Sequence, residues 1–452
     1  MGRLPDTPDL IELVRRAVDA AAGSEDVEAY AEETRTTRVR ARGGEVEEFV
    51  FAGSRGLGIR VISEGRQGYA YGADPDPDSI AALVSRAREA GRFAGEDAAT
   101  VLPGLEEVEP LPGVFHQSLL EVPEHRKVQT ALDLEHAAVS AHPEVRKVES
   151  ANYGDSVGRV AIGSTRGHPL EYRRTDAWAS VACLAERGGE TQTGFAFRLA
   201  RDLDELDWKA AADEAADRAA RLLGARKPRS ERVPVVLDPE AATSFLGVLA
   251  GALSADAVQK GRSLFASLVG QSVASDLVTL IDDGRLLEGS SAAPFDDEGV
   301  ATRRTPVVEN GVLGGFLHNT HTATKAGTIS TGNASRGGYR TVPGVSPSNL
   351  FFEPGSTSPE DLLRAAGRAV YVQEVSGLHS GANPISGEFS VGAVGLRVED
   401  GALGEPLREM TIASTLLDVL RGIAVVGSNL RFLGGGLGAP TILVGEMTVG
   451  GT

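Results

Sequence analysis

The sequence predicts an α+β fold: N-terminal helices with an antiparallel sheet, then a strand-rich C-terminal domain with a few helices. Three observations predict it. Strand-like runs cluster together instead of alternating regularly with helices. The connections between them are too short for parallel crossovers. A few amphipathic segments carry helix start and stop signals. The 452 residues imply two or three domains. With 41% hydrophobic and 24% charged residues the chain can bury a sizeable core, which excludes wholesale disorder.

The first helix is signed by Thr7 as N-cap, Pro8 at the first helical position, apolar Leu10, Leu13, Val14 and Ala17 on one face, and Gly23 as a stop. Short strand-like runs follow at 27–32, 36–42, 45–51, 56–62 and 67–71, separated by Gly43-Gly44, Gly53 and Gly65. Connections this short favour an antiparallel meander. A helix from Asp78 and a Glu- and Pro-rich loop over 95–113 close a first α+β domain, 1–113. A central α+β region, 114–232, has a helix over 123–141, strands near 145–153, 158–162, 178–184 and 191–198, and an Ala-rich helix over 206–223. It ends in the basic segment 224–232, the main linker. The C-terminal domain, 233–452, holds most of the remaining strands and helices near 239–258, 359–368 and 414–420. No internal repeat of fixed period is visible.

Charge and composition exclude several functions. The formal charge of −18, with neither half basic, argues against direct nucleic-acid binding. The single Cys183 can form no intramolecular disulfide and no multi-thiolate metal site; in its apolar run it reads as a buried, inert thiol. The N-terminus, with Asp6, Asp9 and Glu12, lacks a secretory pattern, and the weakly polar run 241–258 is interrupted by Thr243, Ser244, Ser254 and Asp256. A soluble, cytoplasmic protein without a membrane span is expected.

The residues offer little catalytic machinery. No His-Glu-x-x-His helix exists, and His136 and His142 would point about 240° apart on a continuous helix. His318 and His321, near a strand end, could form half of a metal site but more simply serve the structure. No Gly-x-Ser-x-Gly elbow is present. Gly56-Leu57-Gly58 and the glycine run 434–438 lack the strand–turn–helix context of a nucleotide loop, so turns or close backbone approach explain them better. Asp296, Asp297 and Glu298, between Pro294 and Gly299, read as a solvated turn. Asn333, Arg336 and Arg340 flank a glycine-rich loop that either contacts a peptide or partner or has no function.

Three segments are more specific. Residues 290–299 (SSAAPFDDEG), 327–336 (GTISTGNASR) and 380–392 (SGANPISGEFSVG) closely resemble, in order and spacing, signature blocks of the TldD/PmbA family. That resemblance implies a two-subunit cytoplasmic zinc protease. Its TldD-type subunit carries His-Glu-x-x-x-His on a helix and a later Cys ligand, and its TldE (PmbA) type shares the fold without the metal. By the resemblance Gly247 and Ala252 stand where the two histidines would be, Val248 where the Glu would be, and Leu437 roughly where the Cys would be. A one-residue shift would substitute Leu246 and Gly251.

None of these side chains can donate to a metal, and zinc hydrolysis needs about three protein ligands and usually a carboxylate base. The resemblance therefore implies a non-catalytic, zinc-free TldE-type subunit with no cofactor of its own. Zinc is expected in a TldD-type partner of a heterodimer, and an extended peptide is the expected substrate, added as a strand to a sheet edge. Gly381, Gly387 and Gly392 would permit close backbone approach or serve only turns. His318, Asn333, Arg336, Gly381, Asn383, Gly387 and Glu388 form the expected substrate or interface set. A homodimer is possible in isolation. The alternatives are a stand-alone hydrolase with an unrecognised nucleophile, or a regulatory protein-binding module linked to DNA gyrase.

Overall fold

A computed structural model describes residues 9–451. The predicted cap Thr7 and first-turn Pro8 lie outside the described residues. Within them the first helix is α1 (Leu10–Asp19), followed by β1 (Asp26–Arg42), β2 (Glu45–Ser63), β3 (Arg66–Ala73) and α2 (Ile80–Gly91). Next come α3 (Gln117–Glu121), α4 (Glu124–Ala141), β4 (Val145–Ser164), β5 (Leu170–Arg187), β6 (Glu190–Ala200) and α5 (Trp208–Ala220). The six strands form one antiparallel sheet in the order β3-β2-β1-β4-β5-β6, so strands from both sides of residue 113 share it. The runs expected as separate short strands are continuous: β1 has 17 residues and β2 has 19, passing through Gly53, Gly56 and Gly58 without a break.

The sheet has an internal symmetry that sequence periodicity does not reveal. Each half runs helix–strand–strand–strand–helix, and the first strands of the two halves, β1 and β4, pair antiparallel at the centre. Each half also packs its last helix onto its third strand at a glycine. A Cβ on Gly68 would lie 1.8 Å from the Ala87 carbonyl oxygen of α2, and one on Gly194 would lie 2.2 Å from that of Ala215 on α5. No larger residue fits either position without moving a helix.

Alternation along β1 divides the sheet's two faces. Its odd positions Val27, Ala29 and Ala31 join α1 and α2 in one apolar core, and Val39 and Ala41 join the core under α4 and α5. The even positions Glu28, Tyr30 and Glu32 turn to the opposite face, where residues of the C-terminal part meet them.

That part contains β7 (Glu231–Leu237), α6 (Pro239–Ala252), α7 (Ala255–Gln259), β8 (Leu280–Asp283), β9 (Arg304–Glu309), β10 (Val312–Leu313), α8 (Thr320–Ala326), β11 (Ala334–Ser335), β12 (Gly344–Val345) and β13 (Leu350–Phe352). It continues with α9 (Pro359–Ala366), β14 (Ala369–Ser376), α10 (Leu378–Gly381), β15 (Glu388–Glu399), β16 (Ala402–Thr415), α11 (Leu416–Arg421), β17 (Ile423–Val426), β18 (Arg431–Phe432), β19 (Leu437–Ala439) and β20 (Ile442–Gly450). Strands β16-β15-β14-β7-β20 are hydrogen-bonded in that order, and a further β16–β20 pairing closes them into a barrel, which removes their free edges. A second sheet runs β10-β9-β8-β13-β19-β18. Helix α6 packs against β14 of the barrel and β19 of the second sheet.

The helix expected over 239–258 is thus a core helix, but it breaks after Ala252 and resumes as α7. Asp238 caps its start, accepting from the Glu240 N–H (2.9 Å), with Pro239 at the first helical position.

Candidate functional site

Two places gather the residues singled out in the sequence. The first is the outer face of α6. Its Phe245, Leu246, Leu249 and Ala252 are buried in the C-terminal core, while Gly247 and Gly251, one turn apart, are exposed. A Cβ on Gly247 would meet only Leu437 Cδ1, at 3.6 Å, and one on Gly251 would meet nothing within 4 Å.

The fold therefore brings Gly247 and Leu437 together, with open space along the helix beside them. Ala252 is not part of this face, since five residues along a helix rotate the side chain by about 140°. Val248 is half-buried beside the face. Here the chain offers hydrogen and hydrocarbon, which cannot hold a zinc ion. Among the described residues no group of three or more His, Cys, Asp or Glu side chains could hold a metal.

The strand carrying Leu437, β19, pairs with β18, and β18 is held from the N-terminal sheet. Glu214 of α5 accepts from Arg431 (2.5 and 2.8 Å) and from Arg198 of β6 (2.7 Å), and a Cβ on Gly434 would sit 3.9 Å from the Phe197 ring. On the other side α10 touches α6 and leads into the loop 382–388.

In that loop Asn383 and Glu388 are exposed. The Asn383 side-chain oxygen accepts from the N–H groups of Ile385 (2.9 Å) and Ser386 (3.2 Å), and its own N–H donates to the Glu388 carbonyl (2.8 Å). The glycines meet this chain's own backbone and side chains. A Cβ on Gly381 would lie 2.5 Å from the Ser390 carbonyl, one on Gly392 would lie 2.6 Å from Ser376 Oγ, and Gly387 adopts φ +77° in the turn.

The second place is the junction between the β1–β2 face and the segments 293–299 and 327–341. The reading of Asp296, Asp297 and Glu298 as a solvated turn is wrong: Asp296 and Glu298 are buried, and all three carboxylates are engaged. Arg60 donates to Glu28 (2.6 Å) and Glu298 (3.1 Å). Arg336, whose side chain is fully buried, also donates to Glu28 and to the Asp297 carbonyl (3.0 Å), and its guanidinium stands 4.9 Å from the Tyr30 ring centroid.

The second oxygen of Glu298 accepts from the Thr320 N–H at the start of α8 (2.8 Å). Asp296 accepts from the N–H groups of Glu298, Val300 and Ala334 (2.9–3.0 Å). Burial and the neighbouring Glu298 push the Asp296 carboxyl well above its ordinary range, and burial also raises Asp297.

Asn333 is buried as well. Its amide donates to Asp282 (2.6 Å) and the Ser346 carbonyl (3.3 Å), and its oxygen accepts from the Thr331 hydroxyl (2.6 Å). The Thr331 hydroxyl in turn accepts from the His318 N–H (2.7 Å). His318 is buried, its Nδ1 has no hydrogen-bond partner, and burial lowers its pKa. His321 points elsewhere, to Asp97 (3.0 Å) in the loop after α2.

Asn333 and Arg336 thus stand inside a polar joint between the two parts of the chain, and His318 is buried beside Thr331. Sequence reading missed their partners on the sheet: Glu28, Glu32 and Arg60. The one local signal was Arg60 within the apolar run 57–62. Gly56 and Gly58 make room for the joint, since a Cβ on Gly56 would lie 2.4 Å from the Tyr339 ring and one on Gly58 2.4 Å from the Tyr339 carbonyl. The Tyr339 N–H reaches Glu32 (3.1 Å), and its carbonyl accepts from the Tyr69 hydroxyl (2.8 Å). Cys183 is buried and burial pushes its thiol up to about 12, as expected for an inert thiol.

Comparison with known proteins agrees with this architecture. Three models of the PmbA/TldA metallopeptidase family match in order: domain 1 over residues 27–91, the central domain over 117–223 and the C-terminal domain over 230–451. Metalloprotease PmbA of Escherichia coli O157:H7 is 29% identical over 449 residues, covering 98% of this chain and 96% of that protein. An uncharacterized Methanocaldococcus jannaschii protein is 30% identical over 351 residues, 77% of this chain and 79% of its own.

Among solved structures, a Thermotoga maritima protein described as a candidate modulator of a DNA gyrase matches with a TM-score of 0.88 at 29% identity, covering 96% of this chain and 98% of its own. TldE from Thermococcus kodakarensis matches with a TM-score of 0.89 over 97% of this chain and 99% of its own, at 22% identity, a likeness of fold.

Proposed function

The chain belongs to the PmbA/TldD metallopeptidase family, and on that footing we propose that it is a metal-free, TldE-type subunit of a cytoplasmic heterodimeric zinc peptidase. The zinc and the hydrolytic water belong to a TldD-type partner. This subunit closes the chamber in which small or unfolded peptides are cut. One observation carries the reading: Gly247 and Leu437, from segments far apart in sequence, meet at the place where zinc ligands would be expected, and neither offers a donor atom. The exposed, side-chain-free strip at Gly247 and Gly251 suits an extended backbone passing close to α6. Asn383 and Glu388 are the expected substrate or partner contacts. Asn333, Arg336 and His318 act indirectly, by holding the chamber wall.

The test is purification of the full chain alone and after co-expression with a homologue bearing His-Glu-x-x-x-His. Metal analysis and peptide hydrolysis should both be blank for the isolated chain and positive for the pair. Stoichiometric zinc held by this chain's own side chains, or peptide hydrolysis without the partner, would overturn the assignment.

A further inference from the structure

Beyond Glu32 the even positions of β1 leave the polar joint. Arg38 and Arg40 are exposed there while Thr37, Val39 and Ala41 are buried, so this part of the sheet presents an open face on the side away from α4 and α5. Register sets Arg38 opposite Gly154 of β4, Gly154 opposite Trp178 of β5, and Trp178 opposite Leu199 of β6. One row across four strands therefore reads cation, glycine, indole, leucine. A Cβ on Gly154 would lie 2.2 Å from Trp178 Cε2 and Cζ2, so the indole occupies the space over β4 and reaches toward β1.

The same face borders the zinc-free strip of α6. Phe197, in the row next to Trp178, meets Gly434, whose chain runs on to Leu437 beside Gly247, and Phe195, 43% exposed, extends this apolar wall along β6. The cations of the face differ in what they meet. Arg40 donates to Asn152 (3.2 Å) and stands 3.7 Å from Glu47, and Arg174 donates to Asp176 (3.0 Å), which Arg201 also holds. Arg38 has no acceptor and no carboxylate partner among the described residues, in a chain with a formal charge of −18. An exposed guanidinium without a counter-charge, beside an apolar wall, suits a ligand that brings one carboxylate and one apolar group.

We propose that this row is a subsite for an extended peptide, in which a carboxylate of the peptide pairs with Arg38 and an apolar side chain about three residues away packs on Trp178. Two strand spacings, about 10 Å, separate Trp178 from Arg38, and an extended chain rises about 3.3 Å per residue. A peptide passing α6 at Gly434 meets the apolar wall first and the cation last, lying across the strands. Backbone contacts along α6 are indifferent to sequence, whereas this pair gives the chamber a preference for the chemistry at one end of the peptide. The subsite rests on the chamber reading of this face, but its ligand preference is measurable without zinc or partner.

The experiment uses the full chain alone, with its own indole as reporter. Trp178 and Trp208 are the two tryptophans, and Trp208→Phe leaves Trp178 as the single indole. Acetyl-Leu-Ala-Ala-Ala with a free carboxyl terminus should change the Trp178 emission saturably below about 1 mM peptide. Its C-terminal amide should bind about fivefold more weakly at low salt, the worth of one exposed ion pair, and the all-Ala acid should also bind more weakly. The amide with Glu in the last position separates the two sources of the carboxylate. Recovered affinity supports a subsite that takes acidic side chains as well as termini, and no recovery supports one that takes termini alone. Arg38→Gln, at an exposed position, should abolish the preference for acid over amide, and Arg38→Lys should keep most of it. No saturable signal up to about 1 mM, equal binding of acid and amide, or a preference that survives Arg38→Gln would each overturn the proposal. Any of these in a zinc-free chain that still activates its partner strikes the subsite alone, whereas zinc or hydrolysis in the isolated chain strikes the peptidase reading.

Discussion

Replacing Glu28 by Gln tests whether the polar joint holds the two parts of the chain together. Glu28 is buried and is the only carboxylate in an ion pair with Arg336 among the described residues; the Arg336 side chain is fully buried, and Arg60 keeps Glu298 as a second partner. The substitution leaves a desolvated guanidinium without a carboxylate, and breaking a buried pair from one side costs about 3–5 kcal/mol. At about 2.1 cal/mol/K per residue the whole chain loses about 1 °C of melting temperature per kcal/mol, so a drop of about 3–5 °C is expected in calorimetry. Adding Arg336→Met removes the orphaned charge and should recover part of the loss, with a coupling of about 2 kcal/mol.

The pH dependence follows from the same contacts. Burial works most strongly against Glu28's charge, but Arg60 and Arg336 together hold its carboxyl below the ordinary range. Its contribution is present above the ordinary Glu value of about 4.3 and is lost as pH falls below that value. The Gln variant should show a shallower acid loss. A variant melting within about 1 °C of wild type, or strictly additive with Arg336→Met, would refute the argument.

Other expectations separate close packing, burial and missing ligands. Gly68→Ala and Gly194→Ala push a methyl group into a helix backbone and should each cost at least about 1–3 kcal/mol in denaturant unfolding; Gly247→Ala, in ordinary contact with Leu437, should instead stabilise by about 0.5–1 kcal/mol. Burial raises the Asp282 carboxyl to about 7, so the proton it keeps in the folded state favours folding at low pH, and that contribution disappears as pH rises from about 4 to about 7. Asp282→Asn should flatten this slope, and identical slopes from stability measured at pH 5 and pH 8 would contradict it. The triple variant Gly247→His, Gly251→His, Leu437→Cys places two imidazoles one helical turn apart beside a thiolate. It should bind one cobalt ion with a thiolate charge-transfer band that wild type lacks, and failure to bind would show that the three positions do not converge.

The parts of the fold legible in the sequence were those fixed by local pattern. The α+β class, the antiparallel meander, the helix starting near Pro239 and the inert Cys183 all follow from periodicity and apolar context within a few residues. What was misread depended on partners far along the chain. Gly53, which read as a strand break, sits inside β2, while Gly56 and Gly58, read only as turns or close backbone approach, lie where Tyr339 packs from the C-terminal part. The acidic run 296–298, flanked by Pro and Gly, carries no local sign that Arg60, 238 residues away, will meet Glu298.

The symmetry of the sheet was hidden for a related reason. Its two halves share strand order and one glycine-to-helix contact, and such requirements leave most side chains free to differ.

The junction between sheet and C-terminal part explains why family resemblance and local chemistry point to different roles for the same residues. On β1 the odd positions 27–31 are apolar and satisfied by α1 and α2, whereas the even positions Glu28 and Glu32 must find donors on the other side. Apolar burial alone tolerates sliding of one layer over another, while Glu28 engages both guanidinium groups in one arrangement only. Keeping that arrangement fixes the distance from the sheet to α8 through Glu298 and Thr320. The tether of Arg431 to Glu214 fixes β18, and through its pairing with β19 the Leu437 strand beside α6, from the same sheet. The segments 293–299 and 327–336 therefore need no contact with a substrate to shape the proposed chamber. If the chain is the proposed subunit of a heterodimeric peptidase, loosening the joint should alter that pair's peptide turnover through KM and thermal inactivation together, while a change at the exposed Asn383 should alter KM alone.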